Sequence, residues 1–141
     1  MTRGGTRSGV LHQGPLPALI HGSVEYAAAA LLIVAPFLFS FEDRFATAAS
    51  IVIGLAILAL TATSDLPTGL VRAVPSSLHA TADFVVAALL VALPFVLGFR
   101  DEGPPTALFI ALGVAHLLIT IATRFPEPTG GRGGASNKAA G

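Results

Sequence analysis

Four residues of this chain have types and spacing suited to ion or proton chemistry: His21 with Glu25, and His79 with Asp83. Each pair is spaced i, i+4, which on a helix puts both side chains on one face, a turn apart. Imidazole nitrogens and carboxylate oxygens are the donor set of a metal site, and histidine beside a carboxylate is also the unit of a proton relay. A fifth candidate, His116, stands alone in a later apolar stretch. A plainer reading uses the same residues. A carboxylate in the first turn of a helix is favoured by the helix dipole and satisfies free N–H groups. A histidine one turn away bonds to it or reaches the lipid headgroups. Both readings remain open at this level.

The two pairs head two segments that match each other. HGSVEYAAAALLIVAPFLFSF, from His21 to Phe41, and HATADFVVAALLVALPFVLGF, from His79 to Phe99, keep His21 opposite His79 and Glu25 opposite Asp83. Tyr26 and Phe84, Pro36 and Pro94, Phe37 and Phe95, and Phe41 and Phe99 also stay in register. Downstream, Gly54 matches Gly113, Thr61 matches Thr120 and Pro67 matches Pro126. The chain therefore contains one unit twice.

The elements that must position these residues are membrane spans. Of 141 residues, 53% are hydrophobic and 11% charged, against roughly a quarter charged in soluble domains. A chain this short cannot hide so much apolar surface in one aqueous core. A spanning helix needs about 20 mostly apolar residues. Four segments qualify, near Gly22 to Phe41, Ala46 to Thr63, Leu78 to Phe99 and Pro105 to Thr123. They lack the alternation of barrel strands. The expected fold is all-α: an integral membrane protein whose four transmembrane helices form two parallel helical-hairpin repeats, because a unit of two spans returns to the side it came from. The boundaries read as a disordered tail over 1–19, a first hairpin over 20–65, a linker over 66–77, a second hairpin over 78–125 and a disordered tail over 126–141. Arg3 and Arg7 before an apolar stretch resemble a signal peptide, but the first span is longer than a signal's apolar region and has an internal twin, so it reads as retained.

With four spans, both termini and the linker share a side. That side holds Arg3, Arg7, Arg72, Arg124, Arg132 and Lys138; the other holds Arg44 and Arg100 beside Glu42, Asp43, Asp101 and Glu102. The positive-inside rule puts the termini in the cytoplasm. At 1.5 Å rise per residue the two carboxylates lie roughly 6 Å, and His116 roughly 10–12 Å, inside that face. Zero net charge and the lack of a basic run argue against nucleic acid as a partner. The absence of cysteine excludes thiol chemistry and Cys-ligated clusters. Pro36 and Pro94 each remove a helix N–H, so a helix kink or a tightened last turn is expected near the outer surface, with Phe37, Phe39, Phe41, Phe45, Phe95 and Phe99 clustered there. Ala46, Ser50 and Gly54, and likewise Ala107, Ala111 and Ala115, recur every four residues as packing seams.

The first repeat, the linker TSDLPTGLVRAVPSSLH and the second repeat resemble the small bacterial membrane proteins with SPW repeats, over roughly residues 20–126. The signature's serine and tryptophan are replaced: the motif reads Ala35-Pro36-Phe37 and Leu93-Pro94-Phe95, and the chain has no Trp. The resemblance implies an integral membrane module, and no functional residue carries over. The expected function is a structural or partner-binding module of the bacterial cytoplasmic membrane, in contact with lipid and with a second copy or another membrane protein. The alternative is a small ion, proton or metal carrier using His21, Glu25, His79, Asp83 and His116. No nucleophile–base arrangement or nucleotide loop points to an enzyme, and no cofactor is expected.

Overall fold

The computed structural model describes residues 14–125. The expected tails over 1–13 and 126–141, with Pro126, lie outside the described residues. Four helices follow one another: α1 (Ala18–Leu38), α2 (Arg44–Thr63), α3 (Ser76–Val96) and α4 (Gly103–Ala122). Each is long and apolar enough to cross a membrane. The starts of α1 and α3 fall before the expected ones, at Ala18 and Ser76, because Pro17 and Pro75 supply an extended residue ahead of each first turn. Residues 14–19, read from sequence as the end of a tail, carry a two-residue strand and the first residues of α1.

Within each hairpin the helices pack closely, α1 on α2 and α3 on α4. Glycines at matched positions permit this. A Cβ on Gly54 would lie 2.9 Å from the Ala29 carbonyl oxygen and 3.1 Å from Leu32 Cβ; one on Gly113 would lie 3.1 Å from the Ala87 oxygen and from Leu90 Cβ. The seam Ala46, Ser50, Gly54 is buried against α1, as expected. The seam Ala107, Ala111, Ala115 is not: those alanines are exposed, and α4 buries Pro105, Phe109, Gly113, His116 and Thr120 instead. Small size allows close approach but does not choose the face; the larger apolar stripe does. The central core is Ala29, Leu32, Ala46, Ile57, Leu90, Phe99 and Phe109.

The prolines lie inside their helices, two residues before the ends at Leu38 and Val96. The closing bonds, Phe39 N–H to the Ala35 oxygen (2.8 Å) and Leu97 N–H to the Leu93 oxygen (2.9 Å), span four residues, so the last turn is not tightened. Pro36 leaves the Leu32 carbonyl without its usual N–H. The Ser50 hydroxyl donates to that oxygen at 2.6 Å. The chain then turns through a left-handed residue at the same place in each copy, Ser40 (φ 52°) and Gly98 (φ 82°). Most of the expected phenylalanine cluster is exposed, but Phe99 belongs to the core, edge-to-face on Phe109 at 5.3 Å.

At the opposite end two short straps tie the hairpins together. Strand β1 (Leu16–Pro17) pairs in parallel with β2 (Thr123–Arg124), Leu16 opposite Thr123. Ser64 forms the corresponding parallel bridge with Val74. In each case the chain entering one hairpin pairs with the chain leaving the other. Between these straps Leu66, Phe125, Ala18 and Ala80 form a second buried cluster.

Candidate functional site

The straps close over the five candidate residues, all of which the structure brings together. The N-terminal parts of α1 and α3 present His21 and His79 and, one turn further in, Glu25 and Asp83, so no acid stands in either first turn; α4 presents His116 from deeper in the bundle. His21, His79 and Asp83 are fully buried, Glu25 is 2% exposed and His116 7%. Pro36 and Pro94, near the far ends of α1 and α3, take no part.

Half of the contacts cross between hairpins. His21 Nε2 lies 3.1 Å from Asp83 Oδ2 and 3.3 Å from Glu25 Oε1. His79 Nε2 lies 3.2 Å from Glu25 Oε2 and 3.3 Å from Asp83 Oδ2. His116 Nε2 is farther out, 3.6 Å from Asp83 Oδ1 and 3.8 Å from Glu25 Oε1. Of these, His21 to Asp83 has hydrogen-bond geometry. Among the described residues, Glu25 Oε1, Asp83 Oδ1, His79 Nε2 and His116 Nε2 have no hydrogen-bond partner. Buried polar atoms are ordinarily bonded, so four orphans in one cluster form a polar concentration that the fold alone does not satisfy.

Electrostatics makes the same point. One ligand atom from each of His21, Glu25, His79 and Asp83 can be chosen so that all lie within 4.8 Å of one another. Two ionised carboxylates at that separation repel by about 3 kcal/mol at an effective dielectric of about 20. The arginine ion pairs of the described residues, Arg72–Asp65 and Arg100–Asp101, are on exposed groups elsewhere. Balancing charge has to come from the histidines or from a bound cation.

Three partners were not among the candidate site residues. His21 Nδ1 is 2.9 Å from Thr123 Oγ1, and His79 Nδ1 is 2.7 Å from Ser64 Oγ. Ser64 and Thr123 occupy matched positions, three residues after the paired Thr61 and Thr120. The hydroxyl of the third, Thr61, lies 2.9 Å from Glu25 Oε2 and 2.8 Å from the Ile57 oxygen, its one proton shared between the two acceptors. Extending the repeat register past Thr61/Thr120 would have found the Ser64/Thr123 pair. Phe125 seals the cluster, its ring 5.2 Å from that of His21 and 6.1 Å from that of His79. The position matching Phe125 holds Leu66, also buried.

Compared with protein families, residues 19–123 match the model of the SPW repeat domain, well over half of the chain. The chain belongs to the SPW repeat family. With four apolar helices it is a small multi-pass membrane protein. No curated protein and no solved structure matches it. The SPW repeat match covers α1 to α4 and reaches Thr123, so it includes the five clustered residues and both hydroxyl partners.

Proposed function

We propose that this SPW repeat protein is a non-enzymatic membrane module organised round a buried cation-binding centre, the cation being a proton or a metal ion. The observation that carries the reading is the convergence of two carboxylates and three histidines in the buried core, with four of their polar atoms unbonded. The role is structural: His21 with Asp83 and His79 with Glu25 join one hairpin to the other, so a bound cation fastens the two halves. A carrier role for the same centre is the second reading. It is favoured by a cavity of about 30 Å³ bordered by Glu25, His116, Leu32, Ile57 and Leu90, enough for a water-sized species.

The apolar outer faces, with Leu19, Val52, Val85 and Leu118 exposed, suit lipid or a second copy of the chain. The distribution of basic residues supports an orientation with the cluster end and both termini in the cytoplasm, and the membrane we propose is the bacterial cytoplasmic one. A reporter after Lys138 is expected in the cytoplasm and one at Asp43 or Asp101 outside; an external Lys138 reporter contradicts the orientation. The centre itself is tested with Glu25→Gln together with Asp83→Asn. Thermal unfolding in detergent should respond to metal ions or pH in the wild type and lose that response in the double variant. An identical response in both removes the cation centre.

A further inference from the structure

The geometry points to a divalent transition metal of the zinc class, held by His21 Nε2, His79 Nε2, Glu25 and Asp83, with Ser64 and Thr123 setting both histidine tautomers. This rests on the cation-centre reading and narrows it to one kind of cation.

The tautomers follow from proton counting. The Ser64 hydroxyl lies 2.5 Å from the Leu60 carbonyl oxygen, and the Thr123 hydroxyl 2.6 Å from that of Ile119. A carbonyl can only accept, so each hydroxyl spends its single proton there. Each hydroxyl oxygen must then accept from the imidazole, which places the proton of His79 and of His21 on Nδ1. In the neutral ring the Nε2 lone pair faces the carboxylates. Acceptor then meets acceptor at 3.1–3.3 Å on both sides, and something electropositive belongs between them. Metal-bound histidine commonly donates its other ring N–H to an outer oxygen in this manner.

Two features favour a metal over two added protons. If both rings were doubly protonated, both Nε2–H groups would need carboxylate acceptors. His21 has one, but neither contact of His79 Nε2 forms a hydrogen bond. The spacing is close. With metal–ligand bonds of about 2.0–2.1 Å, the edge of a tetrahedron of donors is about 3.3 Å; the four nitrogen–oxygen contacts are 3.1–3.3 Å, and the remaining ligand pairs, up to 4.8 Å apart, draw together when the metal binds. Two carboxylates neutralise a divalent ion within the buried core. Two imidazoles select against magnesium and calcium, which prefer oxygen. His116 stands outside the four as a positioning residue beside Glu25 Oε1 and Asp83 Oδ1.

The test uses the full chain in detergent, stripped with chelator and titrated with zinc chloride, magnesium chloride or cobalt(II) chloride. Expected are one zinc per chain, no competition from magnesium, and the intense visible absorption of four-coordinate cobalt(II). His79→Ala should lose the metal and His116→Ala should keep it. Ser64→Ala with Thr123→Val should weaken zinc binding about 10- to 100-fold at unchanged stoichiometry. Should His79→Ala fail to fold, the wild-type cobalt spectrum decides, since it needs no variant. A folded wild type that ignores zinc and cobalt but changes stability with pH through Glu25 and Asp83 overturns the metal and leaves the cation centre as a proton site. Indifference to both overturns the two together.

Discussion

At one end of the bundle Asp43 Oδ1 accepts the N–H groups of Phe45 (2.6 Å) and Ala46 (2.9 Å), and Glu102 accepts those of Glu42 (2.7 Å) and Asp43 (3.1 Å). At the other end Glu25 and Asp83 face histidine nitrogens, with a threonine hydroxyl on Glu25. The first set is partly exposed and bonded to the backbone, and Asp43 caps α2. The second is buried and keeps an unbonded oxygen on each carboxylate. Carboxylates bonded to backbone donors need no cation; buried carboxylates gathered from two hairpins do. The repeat sharpens the contrast, because the same unit builds both ends.

The largest effect that separates the ends is expected from truncating one buried acid. Glu25→Ala should destabilise by about 3–5 kcal/mol, the usual result of removing one partner from a buried charge set. Unfolding in a mild detergent checks this, and a loss below 1 kcal/mol would put the cluster in the same class as the exposed acids. Next in size is a gain at the other end. Ser40 holds a positive φ that Gly98 adopts freely in the second copy. Replacing Ser40 with Gly should therefore stabilise by about 1 kcal/mol, seen as a raised unfolding midpoint; a lowered midpoint would mean that the serine is not strained. Asp43→Ala should cost about 1 kcal/mol by loss of the cap. Smaller still is Glu102→Ala, below about 1 kcal/mol, because the freed N–H groups can turn to water. If the Glu102 change exceeds the Asp43 change, the acidic pair at the loop end is doing more than bonding to the backbone.

The four helices were legible in the sequence because length and apolarity alone define a span. The five candidate residues were legible because ionisable groups are rare in such segments and the repeat doubled the signal. Their partners were not. Ser64 and Thr123 look like ordinary hydroxyl residues at helix ends, and only the straps bring each to the histidine of the other hairpin. The outward-facing alanines of α4 and the buried Phe99 show the same limit: which face of a span meets protein depends on its neighbours, and apolar residues suit both lipid and core. Pro36 illustrates it at a single atom, since its loss of an N–H is repaired by Ser50, whose matched position holds Phe109.

The central claim is that the cluster end binds a cation and the acidic loop end does not. Anomalous scattering at the zinc edge from zinc-soaked crystals of the full chain tests it most directly. The account predicts one peak about 2.0–2.2 Å from the Nε2 atoms of His21 and His79 and from an oxygen each of Glu25 and Asp83. A peak among Glu42, Asp43, Asp101 and Glu102 with none at the histidines would contradict it.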